Sequence, residues 1–318
     1  MKLRIGSRGS QLALWQANHI ARLLRGQGHT VEIEIIKTTG DRLQEVTFAQ
    51  IGSKGMFTKE IEEALAESRV DLAVHSLKDL PTELAEPFTL AATPRRVDPR
   101  DAFVSIRFEK LAALPQGARV GTSSQRRRAQ LKAVRPDIEA IEFRGNVDTR
   151  LRKLVEGQVD AILLASAGLD RLEKTEWVRE RLEPKEFCPA AGQGALGIET
   201  RNGDSATIAA VSILDDAATR FAVTVERAAL AALGGGCQVP IGIHCRPWVS
   251  ENAEASGELW NEVFAVVAAP QTGSQVKVYK RAIHGETDAA TLGRMVAQEL
   301  LEAGAGPLLA TAADGGFR

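Results

Sequence analysis

Cys237 closes a run of three glycines in the stretch GGGCQVPIG, from Gly234 to Gly242. A thiolate is the strongest carbon nucleophile among protein side chains at neutral pH, and glycines leave open space beside the sulfur. A lone cysteine can equally be a small buried hydrophobe. The run His75-Ser76-Leu77-Lys78-Asp79-Leu80-Pro81 offers a second chemistry. A carboxylate such as Asp79, held in a cleft, can stabilise a cation that develops in a transition state, or pass a proton to and from a ring nitrogen. A surface Lys-Asp pair ahead of a proline turn would read the same way. His75 falls inside an apolar run and reads as a satisfied core histidine.

Arginines gather at Arg126, Arg127 and Arg128, and again at Arg144, Arg150 and Arg152, while acids concentrate elsewhere, as in Glu60, Glu62 and Glu63. Guanidinium holds carboxylate through two parallel bonds, each worth about 1.5–3 kcal/mol when sheltered. Several such bonds would hold a small ligand with many carboxylates. Arg126 and Arg127 fall in the first turn of an expected helix, where the dipole disfavours a cation, so a functional reason is attractive. A solvated basic face is the alternative for any single arginine. The loops Ser7-Arg8-Gly9-Ser10 and Thr122-Ser123-Ser124 each open a helix whose free amides attract anions, although N-capping alone would account for their hydroxyls. Gly52 to Lys59 lacks the G-K-[ST] ending of a phosphate loop and reads as a glycine loop presenting Lys54 and Phe57 over a cleft.

These residues need elements to hold them. A strand at Leu3 to Ile5, a helix with Leu12, Trp15, His19, Ile20, Leu23 and Leu24 on one face, a strand at Val31 to Ile36, a helix at Thr58 to Glu67 and a strand at Leu72 to His75 alternate as in a parallel sheet covered by helices. Lys78 and Asp79 then lie at the carboxyl edge, where such sheets place ligands. The unit recurs: Val120 to Ser124 echoes Ile5 to Ser10, and Val159 to Leu163 echoes Val70 to Val74. Two α/β lobes of doubly wound type follow, the first from 1–94 and 195–215, the second from 100–189. They are joined by the proline-bearing crossover Thr93 to Arg100 and by a return near Pro189 to Gly194. A helix from Ala218 to Leu233, capped by Gly234, leads to Cys237. Strands at Ile241 to Trp248, Leu259 to Val267 and Gln275 to Ile283, then a helix from Asp288 to Ala303, make a small α+β domain over 218–318 with an antiparallel sheet. Gly304 and the closing AADGGFR read as a loose tail.

With 318 residues and 44% hydrophobic content, the chain can bury more than one core. Forty Lys and Arg against 41 Asp and Glu give a formal charge of -1, which argues against a general nucleic-acid binder. No stretch reads as a signal sequence or a bilayer span, and a cytoplasmic protein is expected. Three cysteines without a C-x-x-C pair, and five histidines without a cluster, indicate neither a disulfide framework nor a metal site.

Taken together, the motifs LALWQA (Leu12 to Ala17), GSKGMFTKE (Gly52 to Glu60), AVHSLKDLP (Ala73 to Pro81), VGTSSQRRRAQL (Val120 to Leu131), FRGNVDTRL (Phe143 to Leu151), AAGQGALGIE (Ala190 to Glu199) and GGGCQVPIG closely resemble the porphobilinogen deaminase, or hydroxymethylbilane synthase, family over nearly the whole chain. The resemblance implies two lobes like periplasmic binding proteins and a third domain carrying the cysteine. It implies a transferase that joins four porphobilinogen molecules head to tail, with loss of ammonia, onto a dipyrromethane primer held by a thioether at Cys237. The linear tetrapyrrole is then released by hydrolysis. Carried over by position, Asp79 would stabilise the azafulvenium cation and handle pyrrole-nitrogen protons, with Lys78 beside it binding cofactor carboxylates. Ser124, Arg126, Arg127, Arg144 and Arg150 would bind the cofactor together with Asp79 and Lys78, the two residues carried over as catalytic. Arg8, Ser10, Phe57, Arg144, Arg150, Arg171 and Gln193 would bind substrate. A monomer, with no metal, nucleic-acid or membrane partner, is expected. Gln11, Gln50 and Gln125 depart from the family's usual proline, lysine and leucine. Two other readings stand beside this one: a two-lobed binder of small polycarboxylates without catalysis, and an acyl-transfer hydrolase using Cys237, for which no partner histidine motif is present.

Overall fold

The computed structural model describes residues 1–38, 58–235, 239–248 and 259–314. The first sheet contains β1 (Lys2–Ser7), β2 (Thr30–Ile35), β3 (Leu72–Ser76), β4 (Phe88–Ala92) and β10 (Leu196–Arg201), in the order β2-β1-β3-β10-β4. The second contains β5 (Asp101–Val104), β6 (Arg119–Gly121), β7 (Glu139–Ile141), β8 (Ala161–Ala165) and β9 (Val178–Leu182), in the order β7-β6-β8-β5-β9. Position by position the two orders match. In each sheet three strands run parallel. The fourth in line runs antiparallel to both its neighbours. The all-parallel sheet read from the alternation is therefore corrected to a mixed one, because the strand that enters each lobe from the other runs the opposite way.

Helix α1 (Gln11–Gly26) begins where the Ser10 hydroxyl accepts from the Ala13 amide, and it buries Ala17, Ile20, Ala21 and Leu24 against Leu3, Ile5, Leu72 and Val74 of the sheet. The single apolar face expected of this helix is really two. Leu12, Trp15 and His19 stay partly exposed, on a helix that also meets the second lobe through α5 (Ser166–Arg171). Between them come α2 (Lys59–Ala66), α3 (Gln125–Val134) and α4 (Val147–Val155). Helix α6 (Ser205–Ser212) follows β10.

The third sheet is antiparallel throughout: β11 (Ile241–Trp248), β12 (Trp260–Ala268) and β13 (Gln275–Ile283). It is covered by α7 (Ala217–Ala232) and α8 (Ala289–Glu302), which share a core with Ile243, Val263 and Ala265. These helices touch closely at Gly293, where a Cβ would lie 2.3 Å from the Val225 carbonyl oxygen. Of the tail expected at Gly304 and the closing AADGGFR, residues 312–314 end a helix, α9 (Ala305–Asp314), while 315–318 lie outside the described residues. Ala305 is buried, and Leu308 and Leu309 pack on the third core, so apolar burial outweighs the loose composition.

Two irregular crossovers meet at the centre. Arg96 donates to the Gln193 carbonyl at 2.7 Å and to both oxygens of Glu226 at 2.6 and 3.2 Å, linking the crossovers to α7. Gly194, at φ +86°, lets the strands of chain touch, since a Cβ there would sit 2.7 Å from the Val97 carbonyl.

Candidate active site

Lys78 and Asp79 form a single 3-10 turn, Leu77–Asp79, directly after β3. The carboxyl ends of β1, β6 and β8 open onto the same space. The result is a cavity of about 400 Å³ between the lobes, whose charged lining consists of Arg8, Lys78, Arg127, Arg144, Arg150 and Arg171 against Asp79 and Asp148. Ser10 and Gln193 also line it. Polar side chains here converge on a mixed wall, as in a small-ligand site, but with a strong excess of positive charge.

The arginines differ in what holds them. Asp101, at the first position of β5, is fully buried and accepts from Arg126 Nη1 at 2.7 Å, from Arg127 Nε at 3.0 Å and Nη2 at 2.7 Å, and from Gln193 Nε2 at 2.9 Å. Burial alone would push its carboxyl up, but Arg126 and Arg127 more than offset that and hold it well below the usual carboxylate range. Arg127 reaches the cavity; Arg126 stands behind it, 4% exposed, donating also to the Cys188 carbonyl at 2.6 Å. Arg144 donates to Glu142 at 2.5 Å.

Arg150 and Arg171 have no carboxylate within ion-pair distance among the described residues. Arg150 donates to the Gly145 carbonyl at 2.8 Å and to the Ser123 hydroxyl at 3.2 Å. Arg171 donates to the Gly194 carbonyl at 2.8 Å. Burial pulls both guanidinium groups down to about 10, and Glu142 near Arg150 and Asp170 near Arg171 offset it only in part. Lys78 is held deep in the cleft walls, and desolvation pushes its ammonium down to about 8 against the opposing pull of Asp79.

Of the residues singled out from sequence, the structure brings Arg8, Ser10, Lys78, Asp79, Arg127, Arg144, Arg150, Arg171 and Gln193 to one cavity. Ser124 and Arg126 do not line it. Ser124 caps α3, accepting from the Arg127 amide at 3.4 Å. Cys237 and Phe57 lie outside the described residues, as do Lys54 and Gln50. His75 is a core residue, bonded through Nε2 to Glu199 at 2.8 Å. Cys188 and Cys245 are buried free thiols, both pushed up by desolvation. Sequence reasoning missed Asp101, which carries no motif; of the loop Thr122-Ser123-Ser124, it is Ser123 that lines the cavity.

Two mixed α/β lobes meet on a predominantly cationic cleft of the kind that suits an anionic ligand, with Asp79 and Asp148 as its carboxylates. Residues 3–209 match the family model described as porphobilinogen deaminase, dipyromethane cofactor binding domain, and residues 220–302 match the porphobilinogen deaminase C-terminal domain. The chain belongs to the porphobilinogen deaminase family, enzymes of tetrapyrrole synthesis. It is 46% identical to the porphobilinogen deaminase of Nitratidesulfovibrio vulgaris strain Miyazaki F, over 97% of this chain and 96% of the relative. It is 48% identical to that of Roseiflexus castenholzii, over 97% and 98%. Among solved structures, a nutrient-binding protein from Burkholderia cenocepacia bound to methionine aligns over 66% of this chain and 89% of its own, at a TM-score of 0.41 and 13% identity.

Proposed function

We propose that the chain is a transferase that condenses four porphobilinogen molecules in this cleft, on a dipyrromethane attached to Cys237 through a thioether, and then releases the linear tetrapyrrole. The observation that carries the site assignment is the pair Arg150 and Arg171: two desolvated cations with no ion-paired acid among the described residues, in the cavity that holds Lys78 and Asp79. Each pyrrole bears an acetate and a propionate, so a two-ring group brings four carboxylates, which suits the lining. When bound, the dipyrromethane supplies the free ring carbon on which the chain begins.

In each addition the bond from the substrate's aminomethyl carbon to nitrogen breaks, ammonia leaves, and that carbon bonds to the ring carbon, which loses a proton. Asp79 stabilises the cation left on the substrate as ammonia departs and handles the pyrrole N–H protons. Lys78, as ammonium, binds carboxylates next to the reacting centre. Arg8, Ser10, Arg127, Arg144, Arg150, Arg171 and Gln193 hold acetate and propionate groups, with Arg126 and Ser124 supporting Arg127 from behind. Cys237 as the attachment point is supported by the GGGCQVPIG motif and by the burial of the other two thiols. The reading extends to a cytoplasmic enzyme acting as a monomer.

Intact mass of the purified, active protein is the test. A mass above that of the polypeptide by two pyrrole units, absent from Cys237→Ala, is expected. Active protein with the bare polypeptide mass would defeat the attachment, and purified protein that consumes no porphobilinogen would defeat the activity.

A further inference from the structure

Arg171 is a buried cation with an unusual set of supports. The acid next to it in sequence, Asp170, is taken by Arg181, at 2.6 and 2.9 Å. Its Nε is buried without a hydrogen-bond partner among the described residues. Two contacts reach outside its own lobe: the Gly194 carbonyl of the crossover, and the indole of Trp15 on α1, whose ring centre lies 5.8 Å from the guanidinium carbon. Trp15 is in turn stacked on His19, with ring centroids 5.0 Å apart and planes 6° from parallel, and His19 Nδ1 lies 3.2 Å from Arg22 Nη2. Leu12, one turn earlier on α1, faces Gly168 on α5, where a Cβ would lie 4.0 Å from Leu12 Cδ2. A row of side chains on one lobe thus backs a single guanidinium on the other.

We propose that Trp15 is a positioning residue for Arg171, offering its ring face across the cleft so that the guanidinium stands ready for a substrate carboxylate without an acid of its own. A carboxylate partner would compete with the ligand; a π-face attracts the cation while leaving its N–H groups available. The contact spans both lobes, so Arg171 is in place only when α1 and α5 are together. The inference rests on the reading of Arg171 as a carboxylate-binding residue.

Trp15→Leu, Trp15→Phe, Arg171→Met and the Trp15→Leu/Arg171→Met pair, made in the full-length protein, separate the alternatives. Trp15→Leu is expected to raise KM for porphobilinogen about three- to tenfold while kcat stays within about twofold, as for loss of one sheltered cation–π contact. Trp15→Phe keeps a ring and stays near wild type, and Trp15→Leu adds nothing once Arg171 is Met. An equal KM rise for Leu and Phe, or full additivity in the pair, overturns the proposal. Fluorescence gives a readout independent of turnover. Arg171→Met is expected to change tryptophan emission in the wild type but not in the Trp15→Phe background, and a change that persists there also overturns it. A wild-type protein that consumes no porphobilinogen yet passes the emission test leaves Trp15 beside Arg171 and defeats the functional reading instead.

Discussion

Asp101 and Arg127 meet where the two crossovers meet, the carboxylate fully buried and the guanidinium 6% exposed, joined by bonds of 3.0 and 2.7 Å. A cavity arginine is thereby fixed from behind by an acid that does not itself line the cavity. Asp101→Asn keeps the shape but strands two buried guanidinium groups. Breaking such a pair costs roughly 3–5 kcal/mol, so a clear fall in thermal midpoint should accompany a rise in KM. An unchanged midpoint and KM would show that Arg127 needs no anchor.

Asp79 is exposed, and it lines the cavity. Asp79→Ala should therefore leave the melting temperature and the cofactor mass unaltered while kcat falls by about 10²–10⁴. Turnover near that of the wild type would remove Asp79 from the chemistry.

Lys78 sets a pH limit. Its folded value of about 8 lies below the ordinary 10.5, so the ammonium is lost from the folded protein as pH rises through 8. Carboxylate binding should weaken there, with KM climbing above pH 8 in the wild type and staying flat in Lys78→Arg. The sign for stability is opposite. Between pH 8 and 10.5 the unfolded chain binds the extra proton, so the folding cost of this buried ammonium is lifted as pH rises. Identical KM profiles for the two proteins would mean that Lys78 binds no carboxylate.

Much of this was legible in the chain. Ser10 and Ser124 sit ahead of helices as N-caps, Gly234 takes the left-handed conformation after α7, and the third-domain strands fall where alternation places them. These are local features, set by neighbours a few residues away. Asp101 was invisible because its partners lie 25, 26 and 92 residues along the chain, and an aspartate in DPRDAFV looks like any other. The role of Trp15 was hidden for a related reason: it stands among residues of helical spacing, and only the second lobe makes its face distinct.

Glu226 ties three parts together, accepting from Arg96, from the Gly192 amide at 2.6 Å and from the Cys245 amide at 2.8 Å. Burial pushes its carboxyl up, but Arg96 and His244 draw it below the ordinary value, so its contribution is full above that value and is lost as acid protonates the folded form. Glu226→Gln should lower the thermal midpoint by roughly 5–10 °C, and replacing both partners, as Arg96→Met/Glu226→Met, should recover part of the loss. A single variant melting with the wild type would show the cluster to be dispensable.

The position of β10 has a consequence for how the polypeptide emerges during synthesis. β4 is joined to its sheet only through β10, which is made some hundred residues later, after all five strands of the second sheet. Domains mature as units while the nascent chain lengthens. Until Leu196–Arg201 has been made, β4 therefore has no neighbour to pair with in the order its sheet adopts, whereas every strand of the second sheet is already on hand.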